Sequence, residues 1–162
     1  MKPVRARALR HMGEAIIALV FASMCAGAQA QLISCGFSGG VNALSFGSYT
    51  GFSSASATTQ IRVSCLGAAV FVPIQLKLSA GNAFGYSPRR LSGGGNTLAY
   101  NLYLDAANTR VWGDGTGGTE YLSQSIVISL GTQTFTVYGF IPAGQSPPPG
   151  TYTATITATL TF

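Results

Sequence analysis

Acid–base or nucleophilic chemistry needs titratable side chains at close range, and this chain offers few of them. Its one histidine, His11, stands near the N-terminus beside Lys2, Arg5, Arg7 and Arg10. The rest of the chain therefore cannot assemble a Ser-His-Asp or Cys-His relay. Past residue 30 the carboxylates are Asp105, Asp114 and Glu120, and any glycosidase-like pair would have to be drawn from these. Asp114 and Glu120 flank a glycine-rich turn. A weak calcium loop is conceivable there, and ordinary turn residues are the plainer reading. Gly113-Asp114-Gly115-Thr116-Gly117-Gly118 has no Lys-Ser/Thr after it and opens no helix, so it reads as a long hairpin connection rather than a phosphate cradle. The His, Cys and carboxylate spacing of a zinc or iron site is missing too. The expectation is a protein that is not an enzyme and needs no cofactor or metal.

The N-terminal basic residues belong to an export signal. Lys2 to Arg10 supply the positive region, Ala15 to Met24 a short apolar stretch, and Ala28-Gln29-Ala30 an A-x-A cleavage site. That apolar stretch falls well short of the roughly 20 residues a membrane-spanning helix takes. Met24 precedes Cys25, where a lipoprotein signal would place a small residue. Residues 1–30 are therefore expected to be a signal peptide cut between Ala30 and Gln31, leaving residues 31–162 as one exported domain with no membrane span. The remaining charges are Arg62, Lys77, Arg89, Arg90 and Arg110 against Asp105, Asp114 and Glu120, a net charge of +2, so nucleic-acid binding loses its main support. Arg89-Arg90 reads as part of a solvated loop. Cys35 and Cys65 would mature in an oxidising compartment, where an even count suggests a disulfide worth about 3–4 kcal/mol; two buried thiols are the alternative.

The elements that carry these residues are strands. From Thr151 to Phe162, threonines at every odd position alternate with Tyr152, Ala154, Ile156, Ala158, Leu160 and Phe162. Twelve residues of unbroken period two predict a long strand with one apolar and one threonine face. Ile61, Val63 and Cys65 alternate in the same way, as do Leu98, Tyr100, Leu102 and Leu104. Phe135 with Val137, and Ile126 with Ile128 and Leu130, mark further strands. Val70 to Leu78 is strand-like, with Pro73 pointing to an edge or a bulge, and Leu44 to Tyr49 is a further short candidate. Turn-rich segments at Ser92–Asn96, Gly113–Thr119 and Pro142–Gly150 separate them. Six or seven short strands between Gly/Pro turns predict an all-β sandwich. Phe71, Phe140 and Ile141 could present a sticky surface, and core packing is the plainer reading for each.

In order and spacing, several blocks resemble the spore coat protein U domain family, which includes pilins of the archaic chaperone–usher pathway. They are Cys35-Gly36-Phe37 with Leu44-Ser45-Phe46-Gly47-Ser48-Tyr49, then Ile61-Arg62-Val63-Ser64-Cys65, and Leu98 to Tyr103 leading to Trp112-Gly113-Asp114-Gly115. The last are Val137-Tyr138-Gly139-Phe140-Ile141-Pro142-Ala143-Gly144-Gln145 and Gly150-Thr151-Tyr152 with the end strand. The likeness runs from Cys35 to the last residue. It implies an immunoglobulin-like sandwich short of its seventh strand, and a Cys35–Cys65 disulfide. It also implies a missing strand supplied in trans: first by a periplasmic chaperone, then, at an outer-membrane usher, by the N-terminal extension of a neighbouring subunit. On that footing Ile156, Leu160 and Phe162 are the expected groove and chaperone contacts.

Two departures from the family pattern matter. Ala154 stands where an acidic residue is often found. Only Gln31, Leu32, Ile33 and Ser34 lie between the expected cleavage site and Cys35, too few for a donor extension, so a strand-accepting subunit at a fibre tip, or a minor one, is expected. The competing expectation is a free-standing secreted β-sandwich that binds carbohydrate or protein on an aromatic platform of Trp112, Tyr103 or Tyr121.

Overall fold

A computed structural model of the chain describes residues 33–39, 42–67, 71–127 and 131–162. The signal segment with Ala30 and Gln31, and the strand candidates Val70, Ile128 and Leu130, lie outside the described residues.

Among the described residues eight strands form two sheets that share one core. They are β1 (Ser34–Phe37), β2 (Ala55–Leu66), β3 (Phe71–Leu78), β4 (Arg89–Gly93), β5 (Asn96–Tyr103), β6 (Leu122–Val127), β7 (Thr132–Ile141) and β8 (Ala158–Thr161). One sheet runs β1-β2-β7-β5-β4 and the other β6-β3-β8. The alternation seen in the sequence becomes the inward face of each strand. Ile61, Val63 and Cys65 on β2 meet Val72, Ile74, Leu76 and Leu78 on β3, with Leu98, Tyr100 and Leu102 from β5 and Phe135, Val137 and Ile141 from β7. Each such side chain withdrawn from water contributes about 1.5–3 kcal/mol. Cys35 and Cys65 are register partners across β1 and β2, and they are joined by a disulfide.

Pro73 sits at an edge, as its type demands. On β3 the amide of Leu78 bonds Gly113 O on the β6 side, while the next residue, Ser79, bonds Thr157 O on the β8 side. Odd residues of β3 thus face β8, which covers the strand only from Gln75 onward. Pro73 falls on the stretch that β8 leaves open, where it has no N–H to expose.

Three expectations are corrected. Arg89 and Arg90 are not a solvated loop: both lie on β4, and Arg89 is wholly buried. Its guanidinium donates to Ser79 O (3.0 Å), Asn101 Oδ1 (2.7 Å) and Trp112 O (2.6 Å), and lies 4.9 Å from the Tyr86 ring centre. Burial lowers its pKa from the ordinary value, yet three good acceptors keep the cation satisfied. Phe71 is not a core residue but 64 % exposed, at the solvent-facing start of β3. The end segment is not one uniform ladder. Thr153 pairs with Ser92 beside β4, and only Ala158–Thr161 pairs with β3, because the segment crosses from the edge of one sheet to the edge of the other. Its alternation survives the crossing: Tyr152, Ala154, Ile156, Ala158 and Leu160 are half-buried and the threonines between them exposed.

Candidate functional site: an open apolar cleft

A cleft of about 1030 Å³ opens onto the core between residues 42–50 and the end segment. Its floor includes Ile61, Leu98, Tyr100, Val137 and Ile141. Among the described residues no titratable side chain but tyrosine lines it, and what they offer is largely apolar surface.

One wall is residues 42–50. Leu44 and Phe46 alternate with exposed neighbours and are half-buried, and after the left-handed Gly47 (φ 69°) breaks the period Tyr49 is half-buried again. Among the described residues, however, they join no ladder, so the expected short strand is extended chain with its edge unpaired. Gly139 brings this wall close, since a Cβ there would meet Phe46 Cζ at 2.8 Å and Leu44 Cδ1 at 2.9 Å. Phe46 then packs edge-on against Tyr100, with ring centres 6.0 Å apart. Tyr49 moors the far end of the wall: its hydroxyl donates to Pro142 O (2.7 Å) and accepts from the Gln145 amide (3.2 Å).

Gln145 explains a motif that the sequence displays without giving its use. The β5–β7 register pairs Leu102 with Gly139 and Asn101 with Phe140, so its continuation sets Ala99 opposite Pro142. Proline has no N–H to return. The Gln145 carboxamide takes over the pairing, accepting from Ala99 N (2.7 Å) and donating to Ala99 O (2.9 Å). The spacing Pro142 to Gln145 is the signal for this device, but only the register shows what it serves.

The other wall is the end segment. Alternate residues of an antiparallel strand bond to the same neighbour. Thr157 bonds Ser79, so Thr159 and Thr161 also face β3, while the N–H and C=O groups of Ala158 and Leu160 point to the outer edge along the cleft. That edge has no backbone partner among the described residues. Glycines allow the crossing. A Cβ on Gly93 would strike Thr151 O, and one on Gly81 would meet Ile156 Cδ1 at 2.7 Å.

Of the expected contact residues, Ile156 lines the cleft, Leu160 packs half-buried against the core beyond it, and Phe162 is 53 % exposed at the end of the strand. Ala154 and Ala158 line it as well. Of the aromatic platform, Trp112 is corrected: it is buried in the core and donates Nε1–H to Leu76 O (3.0 Å), so it presents no face to a ligand, while Tyr103 and Tyr121 are half-buried. Of the two carboxylates read as turn residues, Asp114 lies in a bend and Glu120 in a β-bridge with Trp112. Asp114 accepts from the Thr116 hydroxyl and amide, which lower its pKa, and Glu120 pairs with Arg110 at 2.7 Å, which lowers its own. Among the described residues no group of three His, Cys or carboxylate side chains is placed to hold a metal ion.

The geometry on view is an all-β sandwich with an apolar cleft bordered, among the described residues, by strand edge without a backbone partner. The chain belongs to the Spore Coat Protein U domain family, whose profile matches residues 20–159. It is 34 % identical to Protein U of Myxococcus xanthus over 87 residues, which is 52 % of this chain and 46 % of that protein. Among solved structures it resembles a chain of the CsuC–CsuE chaperone–tip adhesion subunit pre-assembly complex, from archaic chaperone–usher Csu pili of Acinetobacter baumannii. The TM-score is 0.56 at 19 % identity, covering 81 % of this chain and 40 % of that one. Each of these alignments spans less than half the length of the protein matched. The structural likeness supports the immunoglobulin-like sandwich.

Proposed function

We propose that this chain is an exported structural subunit of a bacterial surface fibre, completed by a strand donated in trans. The observation that carries this reading is the cleft between residues 42–50 and the end segment, apolar in its floor and bordered by unpaired backbone. Such an edge binds an extended peptide by main-chain hydrogen bonds, while pockets take its alternate side chains. Left open, it is an aggregation hazard, and the chain would need a partner as soon as it leaves the translocation channel. A periplasmic chaperone fills that need, an outer-membrane usher follows, and neighbouring subunits are the lasting partners; family membership and the fold shared with the pilus-complex chain support a chaperone-handled pilus subunit. The mature chain then resides at the cell surface, in a structural and not a catalytic role. The few residues between the A-x-A site and Cys35 favour a tip or minor position, in which the subunit accepts a strand and donates none.

The test is export of the chain with and without the pilus chaperone encoded beside it. A one-to-one complex that protects the chain from degradation is expected. Equal yield of soluble, cooperatively folding monomer without the chaperone would overturn the proposal in favour of a complete, free-standing sandwich.

A further inference from the structure

We infer that the strand taken by this cleft carries bulky apolar side chains at positions i and i+4 of its inward face, with a small one at i+2 between them. The inference rests on the strand-accepting reading above and specifies the partner. Along the end segment the inward side chains alternate in size as well as in direction: Tyr152, Ala154, Ile156, Ala158, Leu160. The first four of these line the cleft. A strand laid against the free edge sets its inward side chains directly opposite them, with Cβ atoms about 4.5–5.5 Å apart.

Opposite Ala154 and Ala158 the wall is a single methyl group, and the cleft is left to be filled from the other side. A small donor residue there leaves a void. Opposite Ile156 the space is already shared with a branched side chain. Ile156 cannot swing away from the cleft, because its Cδ1 sits against Gly81, where even a Cβ would approach to 2.7 Å. A bulky donor residue at that position overpacks the site. From across the cleft Leu44, Phe46 and Tyr49 close over the same inward row. The pattern of bulky, small, bulky reads the same in both directions, so it holds for a parallel and for an antiparallel donor.

Two peptides of identical composition separate this from general stickiness. Both place threonine at every outward position. One carries Leu, Ala, Leu on the inward face and the other Leu, Leu, Ala. A slide of two residues cannot rescue the second, because adjacent leucines always set one of them against a large wall residue. Labelled peptides are titrated by fluorescence anisotropy into the full chain, refolded with its disulfide formed, with the buried Trp112 emission reporting the folded state. The Leu, Ala, Leu peptide is expected to bind about tenfold more tightly. Equal or reversed affinities overturn the size match and leave strand acceptance standing; binding of neither peptide overturns both. In a second arm, Ala158→Leu should weaken the Leu, Ala, Leu peptide about tenfold and spare a peptide with alanine at the facing position. Unchanged binding of the first peptide to this variant would also overturn the match.

Discussion

Arg89 shows how one residue can hold three segments without any carboxylate. Its donors reach the end of β3 at Ser79 O, the middle of β5 at Asn101, and the following loop at Trp112 O. Asn101 in turn donates to Tyr86 O (2.7 Å) and accepts from Leu102 N, so the cluster is fully satisfied. Lysine keeps the charge but has no planar fork to meet three spread acceptors. Arg89→Lys is expected to cost about 3 kcal/mol in urea unfolding, because a buried cation and its acceptors lose their partners. A cost below 0.5 kcal/mol would mean that water reaches the cluster. This residue was misread from sequence because a basic pair near glycines resembles a solvated loop, and only burial distinguishes the two. The carboxylates behave oppositely. Asp114 and Glu120 have folded pKa values lowered by Thr116 and Arg110, so their contribution is present above the ordinary carboxylate pKa and is lost as pH falls through the lowered values. Asp114 is only half-buried and Glu120 is exposed, and acid unfolding should shift little in Asp114→Asn.

At the scale of elements, the two walls of the cleft depend on close approach more than on ladders. Gly139 is the clearest case. A valine there pushes Leu44 and Phe46 off β7, and Gly139→Val is expected to destabilise the fold by about 1–3 kcal/mol through overpacking and to loosen residues 42–50. Proteolytic cleavage within residues 42–50 should speed up in the variant, and an unchanged cleavage rate would show the wall to be held by Tyr49 alone. The disulfide joins register partners on β1 and β2, and closing that loop should contribute about 3–4 kcal/mol. Reduction should lower the urea midpoint accordingly. Period two revealed the inward faces of β2, β5, β7 and the end segment, because burial on one side of a pleated strand imposes it. β4 went unseen since its residues, Arg89 to Gly93, carry no alternation, and β1 is too short to show one. The division of the end segment between Ser92 and β3 was equally hidden, since a threonine face looks the same whichever neighbour it bonds.

For the whole molecule, the folded state is expected to depend on a second polypeptide strand. Such a ligand, binding the native state alone, adds about 2.7 kcal/mol of stability at a hundred times its Kd, so the melting temperature should climb with peptide concentration. A melting temperature indifferent to every alternating apolar peptide would mean that the cleft closes by itself. The sequence alone determined the strand-rich class, the pairing partners available to the cysteines, the poverty of catalytic groups and the inward faces, because composition and period-two burial are local properties of the chain. The tertiary structure decided which edges stay unpaired, that Trp112 serves the core rather than a ligand, and that Gln145 replaces a backbone partner for Ala99. It also set Ala154, Ile156 and Ala158 along a cleft instead of inside a closed core. The physical reason is that hydrogen-bond partners and empty volume belong to pairs of distant segments. A strand's own residues state which face is apolar, and only the neighbours that fold beside it determine whether that face is covered.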